Sequence, residues 1–231
     1  MIKVNKFSSS LEAAHGLTKA LLEQINQSAG KNFHLAISGG NTPAGLFRLW
    51  ADEYKEVIPW KQLQLYWVDE RCVPPEHPES NFGMTKRALL DKVSLSDLQI
   101  HRIRGEYSPE VEAKRYSALI DNLLIKHEIY PVFDCILLGI GSDGHTSSLF
   151  PGQDSLLISP ETYVVSVNPQ TGQQRIALTG LPIIHARNVI FFATGKDKAE
   201  ILKEVIKGDD RYPAGYIISR LTKSELFTDC I

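Results

Sequence analysis

The chain has 231 residues, 43% of them hydrophobic and 23% charged, with a formal net charge of −2. That balance suits a soluble globular protein with one large core, and it lacks the basic footprint of a nucleic-acid binder. No run reaches ~18 apolar residues and the N-terminus has no apolar signal core, so neither a membrane span nor a secretory leader is expected.

Cys72, Cys135 and Cys230 are few, odd in number and widely spaced, which argues against a zinc site or a disulfide framework and makes a reducing cytoplasm the default. Taken in chain order, 9–30 (SSLEAAHGLTKALLEQINQSAG) predicts a helix. Leu11, Ala14, Leu17, Leu21 and Ile25 form its apolar face, and Gly30 is a plausible stop. FHLAIS (33–38) reads as a buried strand. A second helix is predicted from Pro43 to about Tyr54, with Thr42 as its N-cap. LQLYWVD (63–69) is the next strand, and ERCVPPEHPES after it a proline-rich loop. Ser80 caps a further helix. A short strand follows at 100–103, then a long helix over 108–127 with Ser108 as cap and Pro109 at its first position. FDCILLGIG (133–141) is a strong core strand. YVVSV, RIALTG and VIFFATG give three more, KDKAEILKEVIKG (196–208) is the last clear helix, and GYIISRL stays ambiguous.

Strands alternating with helices predict one domain over 1–231. Its fold class would be α/β, a Rossmann-like, doubly wound, mainly parallel sheet with helices on both faces. The strand run at 162–194 would supply a small antiparallel part. In such sheets ligands bind beyond the carboxyl ends of the strands, near a switch in strand order. The ends to inspect are Ser38, Asp69, Gly139 to Asp143, and Thr194.

SGGNTP follows the first core strand. Its backbone N–H groups and the helix start behind them can hold an anion, or simply make a well-capped turn. Asp69, Glu70 and Arg71 close the next strand, as solvated charges or as the corner of a pocket with Arg71 facing an anion or oxyanion. GIGSDG (139–144) spells G-x-G-x-x-G, but Pro151 stops any helix early. No acidic residue stands ~20 positions on, and Asp143 would repel a pyrophosphate, so a dinucleotide site is rejected. Asp143 and His145 have no second cluster to complete a metal site. There remains a histidine on a glycine-flanked turn, able to act as a general base near neutral pH or merely to support that turn. Arg175 opens a strand, and Lys196 and Lys198 sit in a helix's first turn, where a lysine is unfavourable unless an anion lies near. His15, His34, His77, His101, His127 and His185 lack any partner pattern and read as structural or surface residues.

Together SGGNTP, VDERCVPPEHPESNFGM, GIGSDGHTSSLFPG, RIALTG and GKDKAEIL resemble the 6-phosphogluconolactonases, in order from about residue 35 to 215. The related glucosamine-6-phosphate deaminases typically continue with IAFNEPG after the histidine; here TSSLFPG stands, which is similar to the lactonases. The resemblance implies a cytoplasmic, metal-free and cofactor-free hydrolase of a sugar-phosphate lactone. It would have no nucleic-acid or membrane partner and would be a monomer or weak homo-oligomer. It implies His145, Asp143 and Arg71 as catalytic residues. Substrate contacts would come from Ser38, Gly39, Gly40, Asn41, Thr42, Asp69, Ser142, Gly144, Arg175 and Lys198. The family often has alanine where Ser147 stands and threonine where Ala177 stands.

Overall fold

The computed structural model describes residues 2–231. Its elements run β1 (Lys3–Lys6), α1 (Ser10–Gln27), β2 (Phe33–Ile37), α2 (Asn41–Asp52), β3 (Leu63–Trp67), β4 (Asp69–Arg71), α3 (Asn81–Ala88), β5 (Ile100–His101) and α4 (Pro109–Leu123). They continue with β6 (Lys126–His127), β7 (Tyr130–Pro131), β8 (Cys135–Leu138), β9 (Tyr163–Val167), β10 (Gln174–Leu178), α5 (Gly180–Ile184), β11 (Val189–Phe192), α6 (Ala199–Val205), α7 (Pro213–Arg220) and β12 (Ser224–Thr228).

Seven strands form one sheet in the order β1-β12-β11-β8-β2-β3-β5, and every neighbouring pair is parallel. A strand flanked by crossover helices is covered on both faces and must be apolar throughout. β8 obeys this, with all of Cys135, Ile136, Leu137 and Leu138 buried. From β2 the chain winds outward through β3 to β5, then returns to β8 and winds the other way through β11 and β12. The switch in strand order therefore lies between β2 and β8, and the ends of these two strands frame the site.

The antiparallel part is a separate three-stranded sheet, β4-β10-β9. The predicted 63–69 strand is split: Leu63–Trp67 pairs in the main sheet, while Asp69–Arg71 leaves it to pair with β10. Val68 is the joint. Its N–H donates to Ile37 O at 2.9 Å, and its carbonyl accepts from Leu178 N at 2.7 Å and Ser147 Oγ at 3.0 Å. Of the three strands expected at 162–194, β9 and β10 are antiparallel, but β11 returns to the parallel sheet.

Local corrections have local causes. α2 begins at Asn41 rather than Pro43, because Gly40 takes a backbone conformation that turns the chain two residues sooner. α4 stops at Leu123 rather than 127. Leu124 leaves the helix as extended chain and buries its side chain, after which β6 and β7 make a small hairpin. Leu11 belongs to the apolar periodicity of α1 yet is 56% exposed, while Ala13 and Ala14 fill the face toward the sheet. The ambiguous 215–221 segment is helical up to Arg220, within α7, and Leu221 leaves it as extended chain. His34 and His101 flank Tyr66, His34 Nδ1 lying 2.9 Å from the Tyr66 hydroxyl and His101 stacking on its ring, so both serve the core. No helix is long and apolar enough to cross a membrane among the described residues.

Candidate active site

The first wall of the site is the turn between β2 and α2. Gly40 holds φ 106° and ψ −178°, a region that a side chain disfavours. Its carbonyl accepts the Ala44 N–H at 3.0 Å, so Asn41 and Thr42 are the first helical residues and their own N–H groups have no intrahelical acceptor. Those donors lie at the positive end of the helix, and their residues line the cavity, an arrangement able to hold an anion. Ser38 ties the turn to its neighbour. Its hydroxyl donates to Leu137 O at 3.0 Å and accepts from Gly139 N at 3.3 Å.

The second wall is the turn after β8. Gly141 N donates to His145 O at 2.8 Å and Gly144 N donates to Gly141 O at 3.0 Å, closing a tight loop that presents His145. A Cβ on Gly141 would collide with the His145 ring, so a glycine is required there. The three residues after the histidine each fasten the loop by a hydroxyl. Thr146 donates to Gly139 O at 2.8 Å, Ser147 donates to Val68 O, and Ser148 donates to Asp69 Oδ2. Ser147 holds φ 52°, uncommon for a residue with a side chain, and the bond to Val68 fixes it there.

His145 Nδ1 lies 2.5 Å from Asp143 Oδ1, which also accepts the His145 N–H at 3.2 Å. A carboxylate only accepts, so Nδ1 carries the proton and Nε2 is left with a lone pair. Burial works against ionisation of Asp143, but the bonds from the His145 ring and N–H outweigh it and hold the carboxyl below its ordinary value.

The third wall comes from the small sheet. Arg71 on β4 and Arg175 on β10 are direct cross-strand partners. Like charges placed opposite one another are unfavourable. Burial and then Arg71 lower the pKa of Arg175. Neither guanidinium has an ion-pair partner among the described residues, and the Nε of each is buried without an acceptor. Arg71 spends one Nη1 donor on Glu79 O, at 2.5 Å. Such a pair has the charge and the free donors to bind an anion.

These walls enclose a cavity of about 600 Å³. Of the residues expected at the site, Ser38, Gly39, Gly40, Asn41, Thr42, Asp69, Arg71, His145, Arg175 and Lys198 all line it. Asp143 sits behind His145, and Ser142 and Gly144 build the turn without reaching the wall. Lys196 does not line it either; Lys198 does, paired with exposed Asp197 at 3.6 Å. Thr194, a strand end singled out in the sequence, lines the cavity too, while Asn81, Ser147 and Asp197 line it and were not anticipated as contacts. Asn81 carried no local signal beyond its place at a helix start; what brings it in is contact with Asp69 and Gly39, far along the chain. No group of three His, Cys, Asp or Glu side chains at metal-ligating spacing lies among the described residues.

The architecture has close relatives. A 6-phosphogluconolactonase of Treponema pallidum is 43% identical over 171 residues, covering 74% of this chain and 71% of the relative. One from Aggregatibacter actinomycetemcomitans is 38% identical over 226 residues, 94% of each chain. The crystal structure of devB protein superposes with a TM-score of 0.92 at 36% identity, covering 99% of this chain and 97% of that one. The sequence profile of the glucosamine-6-phosphate isomerases/6-phosphogluconolactonase matches residues 8–227, and the chain belongs to that family.

Proposed function

We propose that this protein hydrolyses 6-phospho-D-glucono-1,5-lactone to 6-phosphogluconate, as a cytoplasmic carboxylic ester hydrolase of the oxidative pentose phosphate pathway. The relatives named 6-phosphogluconolactonase support the reaction. The observation that carries the reading is the pairing of opposites across one cavity: an oriented histidine on one side, and unpaired arginines with a free helix N-terminus on the other.

The phosphate docks on Gly39, Gly40, Asn41 and Thr42, with Arg175 and Lys198 supplying positive charge. C1 of the lactone then lies beside His145. Nε2 takes a proton from water as the water oxygen attacks C1. The Gly141 and Gly144 N–H groups are already engaged within their turn, so the oxyanion meets Arg71 or another backbone N–H of that turn. The C1–ring-oxygen bond breaks, and the imidazolium returns its proton to that oxygen as it becomes a hydroxyl. Asp143 stabilises the imidazolium in between. A lactone is an activated ester, so neither metal nor cofactor enters the scheme. General-base help accounts for ~10²–10⁴ of the rate, and anchoring by the phosphate adds to it.

The test is hydrolysis of freshly made 6-phosphogluconolactone, corrected for its spontaneous opening, with glucosamine 6-phosphate in parallel. Lactone turnover without ammonia release is the expected result. Ammonia release without lactone turnover would transfer the proposal to the isomerase side of the family, with Asp69 as the additional acid–base carboxylate. Inactivity on both substrates would refute it outright.

A further inference from the structure

Glu70 takes no part in the scheme above, yet it is 1% exposed and heavily bonded. Its carboxylate accepts the N–H of Arg71 at 2.8 Å, of Asn81 at 2.7 Å and of Phe82 at 2.7 Å, together with the Ser80 hydroxyl at 3.1 Å. Asn81 and Phe82 begin α3, and Ser80 caps the same helix by accepting from Gly83 N at 3.0 Å. One buried carboxylate therefore gathers the free donors at a helix start and fastens them to the strand end that carries Asp69 and Arg71.

Asn81 continues that connection into the cavity. It is 2% exposed, and its Nδ2 donates to Asp69 O at 2.9 Å and to Asp69 Oδ1 at 3.3 Å. The other side of its amide packs so tightly on Gly39 that a Cβ there would strike Asn81 Oδ1 and Cγ. Asn81 thus spans the gap between the anion turn and the Asp69 carboxylate, and Glu70 sets where its backbone begins.

We infer that Glu70 and Asn81 are positioning residues for the substrate: Glu70 bolts α3 to β4, and Asn81 transmits that placement to Gly39 and Asp69. Both act on the binding side of the cavity, whereas the His145–Asp143 pair stands on a separate turn. Losing either one weakens substrate binding more than it slows bond breaking. The inference rests on the lactonase reading for its substrate, but the geometry it concerns can be probed without turnover.

Two variants test it. Glu70→Gln keeps the shape but replaces one acceptor oxygen with an amide that opposes the N–H groups. Asn81→Ala leaves every donor to Glu70 in place and removes only the bridge, so it serves if the first variant fails to fold. For both we expect KM for 6-phosphogluconolactone to rise about tenfold and kcat to change by less than about threefold. The Kd for 6-phosphogluconate, by calorimetry, should rise in step with KM. Hydrogen exchange at the Ala44 amide, which is bonded to Gly40 O, should accelerate in the folded variants. Variants that lose melting temperature but keep wild-type KM, Kd and exchange would overturn the inference and leave Glu70 a purely structural residue. If the wild-type enzyme is inactive on the lactone, the functional reading falls, and the exchange data alone decide the positioning: acceleration supports it and no change overturns it.

Discussion

At the scale of single residues, the imidazole is set by what its second nitrogen touches. Asp143 fixes the proton on Nδ1 and leaves Nε2 free. His145→Ala should lower kcat by roughly 10²–10⁴ while the Kd for 6-phosphogluconate stays near wild type; a variant with full activity would disprove the base. Asp143→Asn offers the ring an amide that can donate, which favours the wrong tautomer, and kcat should fall by at least ~10² with KM little changed. Glu70 gives a pH signature of opposite sign to an ordinary acid. Burial raises its carboxyl to about 7, against the N–H groups of Phe82, Asn81 and Arg71 that pull it down, with Asp69 adding to the rise. The folded state therefore binds this proton more tightly than the unfolded chain. The associated stability is fully present below the ordinary value of 4.5 and is lost as pH climbs through about 7. Relative to Glu70→Gln, the wild type should lose about 3 kcal/mol of unfolding free energy between pH 4.5 and 8, read by urea titration. Equal pH dependence in the two proteins would refute a raised carboxyl. At neutral pH the ionised staple thus opposes stability while it holds the pocket, a trade often found at functional sites. Asp143 behaves in the reverse sense: the stability it supplies is present above its ordinary value and is lost as pH falls through its lower folded value. His145 and Arg71 were visible in the sequence because they end strands and break apolar runs. Glu70 showed only as one charge of the 69–71 corner and Asn81 not at all, since their meaning lies in contacts with each other, 11 positions apart, and with Gly39.

At the scale of elements, the proposed phosphate seat is the start of α2. Thr-Pro is a strong start signal, and it drew the expected boundary to Thr42. The chain instead turns at Gly40, whose φ of 106° puts Asn41 and Thr42 inside the helix and frees their N–H groups. Gly40→Ala has open space for its methyl but forces a side chain into that backbone region. It should cost about 1–3 kcal/mol in thermal or chemical unfolding and weaken binding of 6-phosphogluconate about tenfold. Unchanged affinity would mean the turn is not the phosphate seat. The break at Val68 was beyond reach of periodicity. LQLYWVDER runs on as extended chain, and only its partners, β2 and β5 on one hand and β10 on the other, differ. Long-range pairing decides that division, and a local pattern does not encode it.

At the scale of the whole molecule, alternation of strand and helix was enough to foresee a parallel sheet with sites at its carboxyl edge. The strand order was not readable, and neither was the place where it reverses. The reversal collects residues from 38 to 198 around one cavity, so ligand and fold are thermodynamically linked. With 6-phosphogluconate at a hundred times its Kd, unfolding free energy should rise by about 2.7 kcal/mol, which for a chain this long is a Tm increase of roughly 5–10 °C. Arg175→Ala should abolish most of that shift, and a full shift in the variant would remove Arg175 from the binding set. Val68 adds a constraint of another kind. Three bonds at this one residue tie the end of β2, the strand carrying Arg175 and the loop carrying His145. On the proposed reading, the turn at Gly40 and the loop of His145 cannot drift apart without breaking one of them, which would make them a ruler for the distance from phosphate to C1. A pentonolactone 5-phosphate is one carbon too short to touch both ends. Its kcat/KM should lie at least ~10² below that of the six-carbon lactone, while its phosphate still competes for the same seat.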